Sequence, residues 1–568
     1  MHGGGRGVDG PDCRTASMDY NAPMKIITSS IIDNQDVAGP GSIVSINPAT
    51  EAELATVSAL DRGGAERAIA AARKAYPGWA ATPVEERAAL LGRWLKIMVA
   101  EAGELAALAS AEMGKPIAEA MLVDVTPGCA TLEYWQRTAA EHLAFRPETP
   151  ELLLATHWRA GYRFDPLGVL AIITPWNYPV GIPMWELVPA LVAGNTVVMK
   201  PASASVVTGL MLADQARRAG FPPGVFNAVA LPGSATDVLL DHPDVAKVLF
   251  TGSVEVGRHV ARRCAERLAP SQLELGGKDA AVVAADAPLE RTANGLVWAA
   301  FMNTGQSCAS VERVYVVGEV YDRLVRRIVE LTETLNVGDP SLPDTDCGPL
   351  ATAEQRDTVA AQVDDALARG ARALTGGERP EGVGYFYPPT VLVDVTDDME
   401  VMREETFGPV MPIVRVADID EGIRRANDSR FGLAASGWTS SKATAERFQR
   451  ELEAGAIGIN EHGIVAAGEP GACWGGVRES GIGRAHGPFG LHEVVCIKYV
   501  FSDDGRLPAS AWHYPYDEDF SRFISSAVPL LYGTGLDRYQ HLDALASTRR
   551  FRERVRKVEL LKNATKLL

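Results

Sequence analysis

Residues 166–275 predict an α/β fold, a parallel sheet covered by helices on both faces. Short apolar runs at 168–173, 196–199 and 246–250 alternate with helical stretches at 179–193, 203–218 and 256–264. The loops rich in Gly, Pro and polar residues (174–178, 200–203 and 251–257) all follow strands, where ligands of such sheets sit. A second α/β stretch runs over 276–470, and a chain of 568 residues predicts two or three domains.

Taken in order, 1–40 is Gly-rich and polar, lacks the apolar core of a secretory signal, and reads as a disordered or extended leader. Thr82-Pro83-Val84-Glu85 predicts a helix start, with Thr82 as cap, Pro83 at the first helical position and Glu85 closing a capping box. Ala88, Leu91, Leu95 and Met98 then keep one apolar face until Gly114-Lys115-Pro116 stops it. A net charge of −17 argues against a dedicated nucleic-acid binder. No run of about 18 apolar residues suits a spanning helix. Seven scattered cysteines fit neither a disulfide framework nor a zinc site, so no metal and a reducing cytoplasm are expected.

The chemistry gathers at a few motifs. Cys308 in Gly305-Gln306-Ser307-Cys308 and Glu274 in Leu273-Glu274-Leu275-Gly276-Gly277-Lys278 supply a thiol and a carboxylate. Those are the groups needed to capture an aldehyde as a thioester and then hydrolyse it. Asn177, in Thr174-Pro175-Trp176-Asn177-Tyr178-Pro179, is an amide suited to an oxyanion. Phe250-Thr251-Gly252-Ser253-Val254-Glu255-Val256-Gly257 follows a strand and opens a helix, a setting in which free amides approach a pyrophosphate. Alone, that spacing describes an ordinary turn. By itself, Lys200 at the end of a strand reads as a solvated loop lysine, and Glu405-Thr406-Phe407-Gly408-Pro409 as a loop. In a dinucleotide site the lysine would reach ribose or phosphate, and the loop would offer a carboxylate for ribose hydroxyls beside a ring for a nicotinamide.

These motifs, with Asn47-Pro48-Ala49-Thr50, Lys200-Pro201 and Gly475-Gly476, closely resemble the aldehyde dehydrogenase superfamily over residues 40–503. The resemblance implies a Rossmann-like NAD(P) domain (41–147 and 166–275), a catalytic domain (276–470) and a small β oligomerisation extension (148–165 and 480–503). Strands at 157–164 and 494–500 would form that extension, and a homodimer or homotetramer would result. It also implies Cys308 as nucleophile, Glu274 as general base, and Asn177 with the Cys308 amide as oxyanion donors. Lys200 would contact the adenosine ribose, Ser253 the pyrophosphate and Glu405 the nicotinamide ribose, with Phe407 near the nicotinamide ring. The expected cofactor site takes in Trp176, Ser203, Gly233, Thr251, Gly252, Gly257 and Leu275 as well. The carboxylate at Glu274 favours release to water over release to coenzyme A.

Departures from the family sharpen the expectation. Ser203 stands where NAD-preferring members carry Glu, which leaves room for the extra phosphate of NADP. Glu186 and Ala485 replace the Lys and Glu of the usual secondary proton path. Met302 replaces the Arg that grips the distal carboxylate in succinic semialdehyde dehydrogenases. With Tyr178, Trp185 and Trp474 it predicts an apolar pocket for an aliphatic or aromatic aldehyde. A charged semialdehyde is the rival substrate, and a non-catalytic structural or membrane-docking descendant of the fold is the rival class. Cys473 either forms a reversible disulfide with Cys308 or is a bystander thiol, the preferred reading. The extension at 504–568 ends in a basic amphipathic stretch over 548–568. It would pack on the acidic body of its own oligomer, the preferred reading, or lie on an anionic membrane.

Overall fold

The computed structural model describes residues 24–150, 158–506, 509–510 and 512–554. They fall into two compact units, one of residues 24–142 and 166–495, the other of 143–165 and 496–554.

The larger unit carries two wide sheets. In the first, Ser271–Glu274, Val245–Thr251, Val169–Ile173, Thr196–Lys200 and Phe226–Ala228 lie side by side in parallel. Val169–Ile173 is buried at every position, as a strand covered on both faces must be. Helices Gly181–Ala193, Val206–Ala219 and Val254–Glu266 connect these strands and fill the layers. The second sheet runs Arg372–Thr375, Thr390–Val393, Val410–Val416, Val311–Val317, Asp279–Val283, Ala434–Trp438 and Ala456–Ile459, with only its first pair antiparallel. Chain segments leaving the carboxyl ends of both sheets build the site.

Several expectations move. The leader read over 1–40 already contains a hairpin, Ser30–Ile32 with Gln35–Val37, which edges the first sheet. Asp33 and Asn34 turn it with φ of 54° and 61°, the left-handed pair a tight hairpin takes, and Ile31 and Ile32 are buried. Residues 1–23 lie outside the described residues. Thr82 does not cap the next helix. It ends the helix Arg62–Ala81, its hydroxyl donating to Gly78 O at 3.0 Å, and Val84–Ala100 starts without a side-chain cap. The apolar face beyond Met98 belongs to a separate helix, Ala102–Met113, which Gly114 closes at φ 75°.

Residues 480–495 group with the larger unit and not with the β extension. Gly481–Ile482 pairs antiparallel with Ser271–Glu274, and Asn195 Nδ2 donates to Val494 O at 2.8 Å. The smaller unit holds a three-stranded sheet of Val495–Ser502, Arg159–Pro166 and Arg146–Glu148. The strands expected at 157–164 and 494–500 are thus Arg159–Pro166 and Val495–Ser502, and His157 lies outside the described residues. After this sheet the helix Glu518–Tyr532 packs Phe523, Ala527 and Leu530 against Leu545.

Candidate active site

Cys308 lies between the helix Leu289–Phe301 and the strand Val311–Val317, on a turn that doubles back through the left-handed region at Asn303 and Thr304 (φ 54° and 55°). Such backbone persists only when its surroundings hold it. Here Asn303 N donates to Glu119 Oε2 at 2.7 Å, and its Nδ2 reaches Asn177 O and Gln306 O, each at 3.0 Å. Beyond the cysteine, His462 Nε2 lies 2.7 Å from Ala309 O. Burial holds that imidazole neutral, its pKa lowered to about 4, so the nitrogen facing the carbonyl is the donor.

Glu274 ends the strand Ser271–Glu274 and is buried, with Trp474 Nε1 donating to its Oε1 at 3.1 Å. Burial raises its pKa to about 8, and the carboxylate of Glu186 pushes the same way. Burial also holds the Cys308 thiol well above its ordinary value, reinforced by Glu274, Asp279 and Glu405. The chain passes directly from Glu274 to Gly277, where a Cβ would lie 2.3 Å from Cys308 O. Only glycine lets the strand bearing the carboxylate run this close to the loop bearing the thiol.

Two cavities meet at Cys308. One, of about 230 Å³, is a cleft walled by Trp176, Asn177, Thr251, Gly252, Ser253, Glu274, Leu275, Glu405 and Phe407. The other, of about 430 Å³, is walled by Tyr178, Trp185, Met302 and Trp474, with Leu122, Val123, Trp298, Ile464 and Val465 among its apolar neighbours. Asn177 donates one amide hydrogen to Gln306 O at 3.1 Å, leaving the second N–H of the group. The Phe407 ring meets Trp176 edge-on at 5.4 Å, and Glu405 accepts from Gly277 N at 2.9 Å. Tyr178 is steadied by the Lys115 ammonium 3.8 Å from its ring centroid, itself paired with buried Asp124 at 3.1 Å.

Four residues expected at the cofactor do not line the cleft. Lys200 ends the strand Thr196–Lys200, Ser203 opens a short turn of helix, Gly233 begins another, and Gly257 sits inside the helix Val254–Glu266. A Cβ on Gly257 would meet Leu275 Cδ2 at 2.4 Å, so this glycine serves helix–strand packing. Of the amides expected to be free, Gly252 N donates to Glu274 O at 3.1 Å, and the Ser253 hydroxyl caps its helix by accepting from Val256 N at 3.4 Å. Cys473 lines neither cavity.

The fit of a dinucleotide rests on two observations. Lys200 is a buried cation with no ion pair among the described residues, its pKa lowered by burial to about 8. Such a group calls for an anionic or hydroxyl-rich ligand. The cleft is also walled by Ser253, the cap of the helix Val254–Glu266, and by Glu405, which suit phosphate and ribose.

Sequence reasoning missed residues that act from elsewhere in the chain. Gln355 and Thr358 wall the cleft from the helix Ala353–Ala368. Buried Glu312 accepts from Thr406 N (2.7 Å), Phe407 N (2.9 Å) and Lys278 Nζ (2.5 Å), anchoring the loop that carries Glu405. An adjacent charged pair, Glu312 and Arg313, inside the buried run Val311–Val317 was the available signal for Glu312.

The model of the aldehyde dehydrogenase family matches residues 36–500. The succinate-semialdehyde dehydrogenase [NADP(+)] of Mycobacterium avium (strain 104) is 38% identical over 465 residues, covering 81% of this chain and 96% of that one. Among solved structures, an NADP-dependent enzyme of E. coli is similar with a TM-score of 0.81 at 34% identity, covering 84% of this chain and 98% of the other. The NAD+ complex of an aldehyde dehydrogenase from Bacillus cereus is similar with a TM-score of 0.81 at 32% identity, covering 84% and 96%. This chain belongs to the aldehyde dehydrogenase family and is an NAD(P)-dependent oxidoreductase.

Proposed function

We propose that the enzyme oxidises an apolar aliphatic or aromatic aldehyde to its carboxylic acid, with Cys308 as nucleophile and Glu274 as the base that activates water. The observation that carries the substrate class is the cavity of about 430 Å³, whose only charged lining residue among the described residues is Glu469. A substrate carboxylate entering it would find no cation and would be left unpaired.

The Cys308 sulfur forms a bond to the carbonyl carbon, and the oxygen that gains the charge is stabilised by the second N–H of Asn177 and the Cys308 amide. A bound NAD or NADP would supply the acceptor for the hydride leaving this carbon. Trp176, Thr251, Ser253, Leu275, Glu405 and Phe407 would hold it, with Lys200 at the strand end. Glu274 then takes a proton from water, the oxygen adds to the thioester carbon, and the C–S bond breaks to release acid and thiolate. Ser203, small and uncharged, supports acceptance of NADP beside NAD. Assembly as a homodimer or homotetramer would use the edge strand Val495–Ser502, which exposes Ile497, Tyr499, Val500 and Phe501.

A second reading, succinic semialdehyde as substrate, is favoured by the Mycobacterium avium relative. Steady-state kcat/KM for hexanal, benzaldehyde and succinic semialdehyde, each with NAD and NADP, separates the two. At least tenfold preference for the apolar aldehydes is expected, and the reverse preference establishes the second reading. A broad aldehyde panel without turnover would revive a non-catalytic role.

A further inference from the structure

Glu186 is a buried carboxyl beside the hydrolytic base, and no step above uses it. It lies on the helix Gly181–Ala193, at 3% exposure. Its Oε1 accepts from Thr251 Oγ1 at 3.1 Å, while its Oε2 is buried without a partner. Thr251 and Glu274 are register partners across adjacent parallel strands, and Gly252 N donates to Glu274 O at 3.1 Å. Helix, strand pair and hydrogen bond therefore bring two carboxyls to one dry place.

The groups facing this place come from four elements. Glu274 is faced by Glu186, by Trp474 as a neutral donor, by Glu405 and by Cys308. His486 lies over Trp185 with centroids 4.2 Å apart, and burial keeps it neutral, with a pKa of about 4. Among the described residues no Lys or Arg pairs with either carboxyl. Two neighbouring carboxyls without a cation oppose each other's ionisation, so the charge of one makes the charged form of the other less favourable.

We propose that Glu186, held by Thr251 on the strand beside Glu274, is a positioning residue for the hydrolytic step that opposes the charged form of Glu274 and so sets how strong a base Glu274 is toward the attacking water. The inference rests on the thioester reading above. In the step, water gives its proton to Glu274, its oxygen bonds to the acyl carbon, and the sulfur leaves with the C–S electron pair. Glu186 takes part by repelling the charged form of Glu274, which makes that carboxylate more basic.

An activated ester, p-nitrophenyl acetate, isolates hydrolysis because it acylates Cys308 without cofactor. The burst of p-nitrophenol reads acylation and the following linear phase reads deacylation. In the wild type the linear phase should rise with pH through about 8. In Glu186→Gln the repulsion is gone, so the midpoint should fall by about 1 unit, making hydrolysis up to ~10-fold faster on the acid side. Glu186→Asp should keep the wild-type midpoint. An unmoved midpoint in Glu186→Gln, with or without a lower rate at every pH, overturns the inference. If Glu186→Gln does not fold, Thr251→Val serves. Loss of the hydroxyl favours the proton on Glu186, and the midpoint should again fall; an unmoved one overturns the inference. A wild type with neither a Cys308-dependent burst nor aldehyde oxidation overturns the thioester reading, and this inference with it.

Discussion

Burial first, and the carboxylates of Glu274, Asp279 and Glu405 after it, hold the Cys308 thiol above its ordinary value, which makes it a poor nucleophile until it is deprotonated. Under the proposed mechanism Glu274 acts after acyl transfer. Glu274→Gln should give a burst of about one reduced nicotinamide per subunit and then stall, with turnover down ~10³-fold or more; rapid-mixing absorbance checks this. Glu274 and Glu186 also make stability depend on pH. Each has a folded pKa of about 8 against an ordinary 4.5, so the folded chain keeps protons that the unfolded chain has released. Stability falls as pH rises between those values. Glu186→Gln removes one of the two contributions, and its Tm, followed by calorimetry, should decline less from pH 5 to 8 than the wild type's. Cys308, Glu274 and Asn177 could be singled out in the sequence because each sits in a contiguous motif, and the fold brings all three to one cleft. The pairing of Glu186 with Thr251 was not, because it joins positions 65 residues apart that only the folded sheet brings together.

At the scale of elements, the site depends on how closely strand and loop approach one another. Gly277→Ala would drive a Cβ to 2.3 Å from Cys308 O, so the loop must move and carry the sulfur with it. A displacement near 1 Å should lower kcat by about 10²-fold while leaving the fold intact; steady-state kinetics beside a circular dichroism spectrum distinguishes this from unfolding. Glu312→Ala should act on stability instead. It strands the buried Lys278 ammonium and the amides of Thr406 and Phe407, a loss of about 3–5 kcal/mol that denaturant unfolding would read. The strand–helix alternation of 166–275 was legible because buried parallel strands are short, apolar and separated by helices. Thr82 was misread because its neighbour Pro83 fits a helix start, whereas its hydroxyl serves the helix before it. Gly257 was misread because spacing alone cannot separate a glycine that approaches a ligand from one that admits Leu275.

For the whole molecule, every residue walling the two cavities falls within the unit of residues 24–142 and 166–495. The C-terminal helices have their own small core of Phe523, Ala527, Leu530 and Leu545. Two arginines of the expected basic face are already engaged. Arg550 is 3% exposed, donates to His513 O at 2.6 Å, and lies 4.6 Å over the Phe520 ring; Arg549 pairs with Asp517 at 3.2 Å. Arg552 is exposed, Val555, Arg556, Lys557, Val558, Lys562 and Lys566 lie outside the described residues, and no helix among the described ones is long and apolar enough to cross a membrane. Arginines whose charge is paired within their own unit are not available to lipid phosphates, so their contribution to a vesicle surface should be small. Deleting 505–568 should leave kcat/KM within about twofold, because no catalytic or cleft-lining group is lost. The full-length and shortened proteins should pellet equally with anionic phosphatidylserine vesicles. Stronger pelleting of the full-length chain would mean that 505–568 supplies a membrane contact.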